Sequence, residues 1–180
     1  MGPPSDDLWV FAYGSLMWRP DFPYLERLIA HVYGWRRRLC IFSVHYRGTE
    51  RAPGLVLGLD RGGSCRGVAF RVAADEKEAV HDYLRRRELI SAVYLERSVE
   101  AALEDGRRVK ALAYVADRAH VQYAGQLTRA ETLKLVRQGV GRAGRDTDYV
   151  LATHDHLSEM GVNDVELAWL SRQLRESANT

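Results

Sequence analysis

Segments with the patterning of β-strands fill most of the first two thirds of the chain, and helical segments close it. Strands are predicted at residues 8–13, 34–44, 53–59, 67–72, 93–103 and 107–115. Gly62-Gly63 and Asp105-Gly106 are residue pairs that tight hairpin turns favour. Strands that precede helices along a chain are typical of an α+β fold. The sequence therefore predicts a small, mostly antiparallel β-barrel flanked by helices.

Capping signals and apolar spacing mark the helices. Asp75 with Glu78, and Thr128 with Glu131, have the spacing of a capping box, in which two side chains and two backbone amides satisfy each other. Helices are predicted at residues 75–89, 128–139, 148–160 and 163–174, and weak helical spacing occurs at residues 24–31.

Length and charge exclude several classes of protein. The 180 residues fit one domain, predicted over residues 1–180 with a core at about 8–174, because two complete cores need more chain. A net charge of +2 gives no electrostatic basis for binding nucleic acid or a membrane surface. No apolar run approaches the ~20 residues that span a bilayer, and residues 1–7 do not resemble a signal peptide. We expect a cytoplasmic protein without a nucleic-acid, membrane or obligate protein partner.

The end of the first predicted helix carries the strongest chemical signal. Val80, Tyr83 and Leu84 have the spacing of one buried helix face, and the next turn of that face brings Arg87 and Glu88. A carboxyl group on the apolar side of a helix is partly desolvated, which raises its pKa and makes it a usable proton acceptor near neutral pH. The alternative, an ion pair with a purely structural role, stays open on the pattern alone.

A second signal is Tyr13-Gly14-Ser15-Leu16, directly after the first predicted strand. A glycine–serine turn at the end of a strand exposes successive backbone N–H groups, which suits a carboxylate or an oxyanion. Ser15 is not predicted to be a nucleophile, because Tyr13 and Met17 replace the two glycines of a nucleophile elbow. An ordinary turn without function is the open alternative.

Other motifs are weaker. Residues 139–144 match the dinucleotide-binding pattern GxGxxG, but they follow a predicted helix where that site requires a strand. His154 and His156 are two residues apart and do not share a helix face, so no metal site is predicted. Cys40 and Cys65 are isolated, which indicates neither a zinc site nor a disulfide framework.

Four groups of residues together resemble a known family. They are Trp9-Val10-Phe11-Ala12-Tyr13-Gly14-Ser15-Leu16-Met17-Trp18 with Asp21-Phe22-Pro23; Tyr46-Arg47-Gly48-Thr49 with Pro53-Gly54 and Leu57-Gly58-Leu59; Tyr83-Leu84 with Arg87-Glu88 and Tyr94; and Gly141 with Gly144-Arg145-Asp146-Thr147 and Tyr149. In this order they resemble the ChaC-like γ-glutamylcyclotransferases, from about Leu8 to Leu174.

The resemblance implies a small β-barrel enzyme without a cofactor or metal, which cleaves glutathione into 5-oxoproline and cysteinylglycine. In that family a glutamate accepts a proton, a Tyr-Gly-Ser-Leu loop cradles the γ-glutamyl group, and a later tyrosine helps to bind substrate. The catalytic role therefore passes to Glu88. The implied substrate-binding residues are Ala12, Tyr13, Gly14, Ser15, Leu16, Met17 and Tyr149.

One departure from the family keeps other functions open. Many relatives have Gly-Gly-Tyr after the glutamate, where this chain has Leu89-Ile90-Ser91-Ala92-Val93-Tyr94. A cyclotransferase for another γ-glutamyl amine or peptide is therefore an alternative. A non-catalytic γ-glutamyl-binding module is a further one, although a pure binder has no need of Glu88.

Overall fold

A computed structural model describes residues 6–180, so the first five residues of the predicted 1–180 domain lie outside the described part of the chain. The described residues form two compact units. One contains residues 6–38 and 58–117, and the other contains residues 39–57 and 118–180. The single-domain organisation stays a prediction.

Five strands form a closed barrel. They are β1 (Leu8–Ala12), β2 (Glu26–Ser43), β3 (Gly54–Val72), β4 (Tyr94–Leu103) and β5 (Arg108–Ala116), and their order around the barrel is β1-β3-β2-β4-β5. β1 pairs antiparallel with β3, as β2 does with β4 and β4 with β5. β1 and β5 run parallel, with Val10 opposite Leu112. The predicted α+β fold with a mostly antiparallel barrel is confirmed.

The alternation of side chains along each strand builds the barrel core, because successive residues point to opposite faces of a sheet. The core cluster contains Trp9, Phe11, Ala30, Val32, Leu59, Cys65, Ala69, Val99, Ala101, Leu103, Ala111, Ala113 and Val115. Full burial of a side chain such as Phe11 stabilises the fold by roughly 1.5–3 kcal/mol. Val10 and Phe70 are also fully buried.

Three local predictions for this unit are wrong. Residues 24–31 are not helical, because β2 begins at Glu26. Gly62 and Gly63 do not separate two strands: both lie inside β3 with φ values of 99° and 63°, a backbone conformation that glycine adopts without steric cost. The helix after β3, α1 (Lys77–Glu88), has Glu76 as its N-cap and no side-chain cap, so the predicted Asp75 capping box is absent.

The second unit contains three helices, α2 (Arg129–Gln138), α3 (Asp146–Glu159) and α4 (Val165–Ala178). The capping box of Thr128 with Glu131 at the start of α2 is confirmed. The helices predicted at residues 148–160 and 163–174 are present, with ends shifted by a few residues. Within residues 6–180 no helix has both the length and the apolar composition that a bilayer crossing requires.

The GxGxxG motif of residues 139–144 has a packing role in the second unit. It contains β6 (Val140–Gly141) and the start of β7 (Gly144–Arg145), which pair as a small hairpin. A Cβ atom at Gly139 would lie 2.4 Å from the carbonyl oxygen of Arg47, and one at Gly141 would lie 2.5 Å from that of His45. The backbone of residues 45–47 thus occupies the space that these glycines leave.

Candidate active site

Glu88 is the last residue of α1, one turn beyond the buried Leu84. Only 18% of its side chain is exposed. Burial raises the pKa of the Glu88 carboxyl group, and the positive charge of Arg87 opposes this rise without cancelling it. The carboxyl end of a helix carries a partial negative charge, which also disfavours the carboxylate. Glu88 is therefore a carboxyl group whose proton affinity is shifted towards that of a general base.

The glycine–serine loop, residues 13–17, follows directly from the last residue of β1, Ala12, and is tightly folded. Ser15–Met17 form a short 3-10 helix, in which the Met17 N–H donates to the Gly14 carbonyl oxygen at 2.8 Å. Leu16 and Met17 are buried, whereas Ser15 is exposed. The Met17 amide is therefore already used within the loop.

Arg37 of β2 fixes the start of this loop. Its Nε donates to the Tyr13 carbonyl oxygen at 2.6 Å, and its Nη2 donates to the Arg66 carbonyl oxygen at 2.8 Å. Nη2 also approaches the Met17 Sδ at 3.8 Å. One guanidinium group thus connects both ends of the loop to the barrel.

Arg87 connects the loop to the helix that carries Glu88. Its Nη2 donates to the Ser15 Oγ at 3.1 Å, and its Nη1 donates to the Arg19 carbonyl oxygen at 2.9 Å. Arg87 Nε lies 3.6 Å from Glu88 Oε1. The structure therefore links two features that the sequence analysis identified separately.

A polar cluster between α1 and the barrel was not predicted. The Glu96 carboxylate on β4 accepts hydrogen bonds from His81, Arg85 and Tyr114. Burial raises the pKa of the Tyr114 hydroxyl most strongly, followed by its hydrogen bond to Glu96 and the charge of Glu96, and the charge of Glu88 makes a smaller contribution. Tyr114 is thus a further polar group in the electrostatic range of Glu88. The only sequence signal for it is the alternation along β5, which places residue 114 on the face opposite the barrel core.

Tyr149 lies on α3 in the second unit, where its hydroxyl has intramolecular partners. The Leu57 N–H donates to Tyr149 Oη at 3.1 Å, and Thr153 forms a side-chain hydrogen bond with it. Burial raises the pKa of Tyr149 to about 12. The Arg47 guanidinium lies 5.5 Å from the centre of the Tyr149 ring. These contacts support a structural role for the hydroxyl, and its predicted role in substrate binding stays a prediction.

The predicted absence of a metal site can be compared with the positions of the possible metal ligands in the described part of the chain. No group of three His, Cys, Asp or Glu side chains among residues 6–180 is arranged to hold a metal ion. Asp155, between the two histidines at positions 154 and 156, forms an ion pair with Arg175 at 2.7 Å.

Comparison with protein families connects this geometry to known proteins. The model of the ChaC-like protein family matches residues 8–177. The chain belongs to the ChaC-like family. This confirms the resemblance that the four motifs indicated, and it extends over both compact units of the ChaC-like chain.

Relatives of this ChaC-like chain have named activities. It is 33% identical over 163 residues to the glutathione-specific γ-glutamylcyclotransferase of Escherichia coli K12, with 90% of this chain and 70% of the relative covered. It is 32% identical to the human glutathione-specific γ-glutamylcyclotransferase 1, with 86% of this chain and 71% of the relative covered.

A solved structure supports the fold of the ChaC-like chain. The yeast γ-glutamyl cyclotransferase specific to glutathione superimposes with a TM-score of 0.83 at 21% identity, covering 94% of this chain and 96% of that one. At this identity the likeness shows a shared fold.

Proposed function

We propose that this ChaC-like chain is a glutathione-specific γ-glutamylcyclotransferase, a lyase that releases 5-oxoproline and cysteinylglycine. The observation that carries the proposal is the buried Glu88 carboxyl group, which Arg87 links to the glycine–serine loop. A base with a raised pKa and a loop suited to carboxylates are the two parts that an intramolecular cyclisation needs. The names of the relatives from Escherichia coli and human support the choice of glutathione.

In the proposed reaction, Glu88 accepts a proton from the α-amino group of the γ-glutamyl residue. The freed amine attacks the γ-carbonyl carbon of the same residue, and a five-membered ring forms. Glu88 returns the proton to the leaving nitrogen as the γ-amide C–N bond breaks. The ring nitrogen then gives up its second proton, which completes the ammonium group of cysteinylglycine and leaves the lactam N–H of 5-oxoproline. Backbone N–H groups of residues 14–16 bind the α-carboxylate or stabilise the oxyanion.

This reaction needs no external nucleophile, since amine and carbonyl belong to one residue and only need to be held in a folded pose. The two products together contain all the atoms of glutathione, and no atom changes its oxidation state. We therefore expect activity without an added cofactor or metal, and a small molecule as the only obligatory partner. We also keep the expectation of a cytoplasmic protein, because glutathione is an abundant thiol of reducing compartments.

In the deciding experiment, purified protein is incubated with glutathione in H₂¹⁸O, and the products are identified by mass spectrometry. The expected products are cysteinylglycine and 5-oxoproline without ¹⁸O. Glutathione acetylated at the α-amine and the α-linked isomer should both be inert, because the internal nucleophile is blocked in the first and wrongly placed in the second. Release of glutamate that carries ¹⁸O would instead identify a hydrolase.

A second candidate is a cyclotransferase for another γ-glutamyl amine or peptide. The segment after Glu88 is the reason to keep it, because Leu89-Ile90-Ser91-Ala92-Val93-Tyr94 stands where many relatives have Gly-Gly-Tyr. A panel of γ-glutamyl compounds at equal concentration distinguishes the two. The glutathione assignment requires the highest kcat/KM for glutathione. Binding of glutathione without turnover would indicate a non-catalytic binding module.

A further inference from the structure

Arg87 sits at the point where α1 meets the glycine–serine loop, and 22% of its side chain is exposed. We propose that Arg87 is a positioning residue that holds the glycine–serine loop in a fixed place relative to the Glu88 carboxyl group. This role rests on the proposed function, because it matters for catalysis only if the loop binds the substrate of the Glu88 base.

The contacts of the guanidinium group favour this role over a simple surface ion pair. Nη1 donates to the Tyr83 hydroxyl at 3.0 Å, one turn earlier on α1, and to the Arg19 carbonyl oxygen at 2.9 Å. Nη2 donates to the Ser15 Oγ at 3.1 Å. The donors of a guanidinium group are spread over three nitrogens in a fixed plane, which suits acceptors on two elements, whereas the donors of a lysine share one nitrogen on a flexible stem.

The segment that Arg87 holds has one unfavourable backbone conformation. Asp21, two residues beyond Arg19, has a φ of 56°, in the left-handed region, and its carboxylate lies 3.8 Å from Arg87 Nη1. Such a conformation persists when surrounding contacts enforce it. Arg87 supplies contacts at Ser15, Arg19 and Asp21, that is, at Asp21 and in the chain that leads to it.

The charge of Arg87 has a second effect that can be measured separately. Two groups act electrostatically with Glu88: Arg87 on α1, whose charge lowers the Glu88 pKa, and Tyr114 on β5. Lysine at position 87 keeps the positive charge but loses the fork, whereas glutamine loses both. The two substitutions therefore separate loop position from charge.

The test compares Arg87→Lys and Arg87→Gln with the same substitutions at the neighbouring, exposed Arg86. Because Arg87→Lys loses the fork that hydrogen-bonds the loop, we expect it to lower kcat/KM for glutathione about 10- to 100-fold, mainly through KM. The pH midpoint of kcat should stay unchanged in Arg87→Lys and move to higher pH in Arg87→Gln. Arg86 variants should keep wild-type values.

Two further measurements test the same contacts, and the first of them does not require Arg87→Lys to fold. Tyr83→Phe removes one acceptor of the fork and leaves the ring that packs against Phe22, so a KM increase of about 2- to 5-fold is expected. Amide hydrogen exchange at Met17 and Arg19, both hydrogen-bonded in the loop, should be at least about tenfold faster in Arg87→Lys.

An unchanged KM in folded Arg87→Lys, or unchanged exchange at these amides, overturns the proposal. If wild-type protein does not turn over glutathione, the proposed function fails. The exchange experiment still decides whether Arg87 holds the loop, because it does not depend on activity.

Discussion

Glu96 on β4 and Tyr114 on β5 lie directly opposite each other, and the Tyr114 hydroxyl donates a hydrogen bond of 2.9 Å to Glu96 Oε1. His81 Nε2 and Arg85 Nε, both from α1, reach the same oxygen at 2.9 and 3.0 Å. Burial raises the pKa of Glu96, but the hydrogen bonds from Arg85, Tyr114 and His81 together lower it below its ordinary value. The Glu96 carboxylate therefore connects α1 to the barrel, whereas Glu88, the last residue of α1, has the raised pKa that suits a base.

This contrast predicts different outcomes for the same substitution at two positions. Glu88→Gln should lower kcat by about 10²–10⁴-fold and leave the unfolding free energy nearly unchanged, since the amide is close in size and only the base is lost. Glu96→Gln should instead lower the unfolding free energy by roughly 1–3 kcal/mol, because a carboxylate with charged donors is replaced. Steady-state kinetics and urea denaturation of both variants give the comparison. Wild-type kcat in folded Glu88→Gln would refute its role as base.

The pH dependence of turnover should reflect Glu88. A base must be ionised to accept a proton, and the pKa of Glu88 is raised above 4.5. As the pH falls through this raised pKa, the carboxylate is protonated and kcat should fall with it. The acid limb of a kcat profile should therefore have its midpoint above pH 4.5, and in Glu88→Gln that limb should be absent. A midpoint at or below 4.5 would contradict the burial effect.

Asp146 should make the stability of the chain depend on pH. It is fully buried at the start of α3, its Oδ2 accepts the Leu55 N–H at 2.6 Å, and Oδ1 has no hydrogen-bond partner among the described residues. Burial raises the pKa of Asp146 to about 7 from 3.8. Protonated Asp146 therefore stabilises the folded state. This stabilisation is fully present below about pH 4 and is lost as the pH rises through about 7.

Asp146→Asn removes this titration and keeps an acceptor for Leu55. Between pH 5 and pH 8 the wild type is expected to lose about 2–3 kcal/mol more unfolding free energy than the variant. Urea titrations at each pH measure the difference, with the exposed Asp148→Asn as the matched control. Parallel pH profiles for wild type and Asp146→Asn would show that Asp146 does not titrate in this range.

Replacing Ala92, four residues after Glu88, by glycine should raise the free energy of unfolding. Its φ of 55° lies in the left-handed region, which costs a residue with a Cβ atom about 1–2 kcal/mol. Glycine removes this cost but adds about 0.4–1 kcal/mol of chain entropy to the unfolded state. Ala92→Gly should therefore gain about 0.5–1 kcal/mol in thermal or urea unfolding. Ser91→Gly, at an exposed neighbour without positive φ, should lose stability; a loss in Ala92→Gly as well would show that the turn is not strained.

Patterns of nearby residues in the sequence correctly predicted features that depend only on nearby residues, such as turns and helix faces. The turn before β5 places Gly106 at a φ of 93°, as Asp-Gly predicts, and the apolar face of α1 leads to Glu88. Strand register is different, because it depends on which distant segment pairs with which. The opposition of Glu96 and Tyr114, and the pairing that makes residues 26–31 a strand, are therefore visible only in the structure. The same applies to Arg87, whose loop acceptors lie about 70 positions earlier in the sequence.

The parallel contact of β1 with β5 has a consequence for folding kinetics. Val10 and Leu112 lie about 100 positions apart in sequence, and β1 also pairs with β3, about 60 positions away. Closing such long loops costs chain entropy before any contact compensates for it, so topologies of this kind fold in milliseconds to seconds. We expect β1 to join the barrel late, after the β4–β5 hairpin has formed locally. The glycine–serine loop continues directly from β1, so the proposed substrate-binding loop would take its place only at the last step of folding.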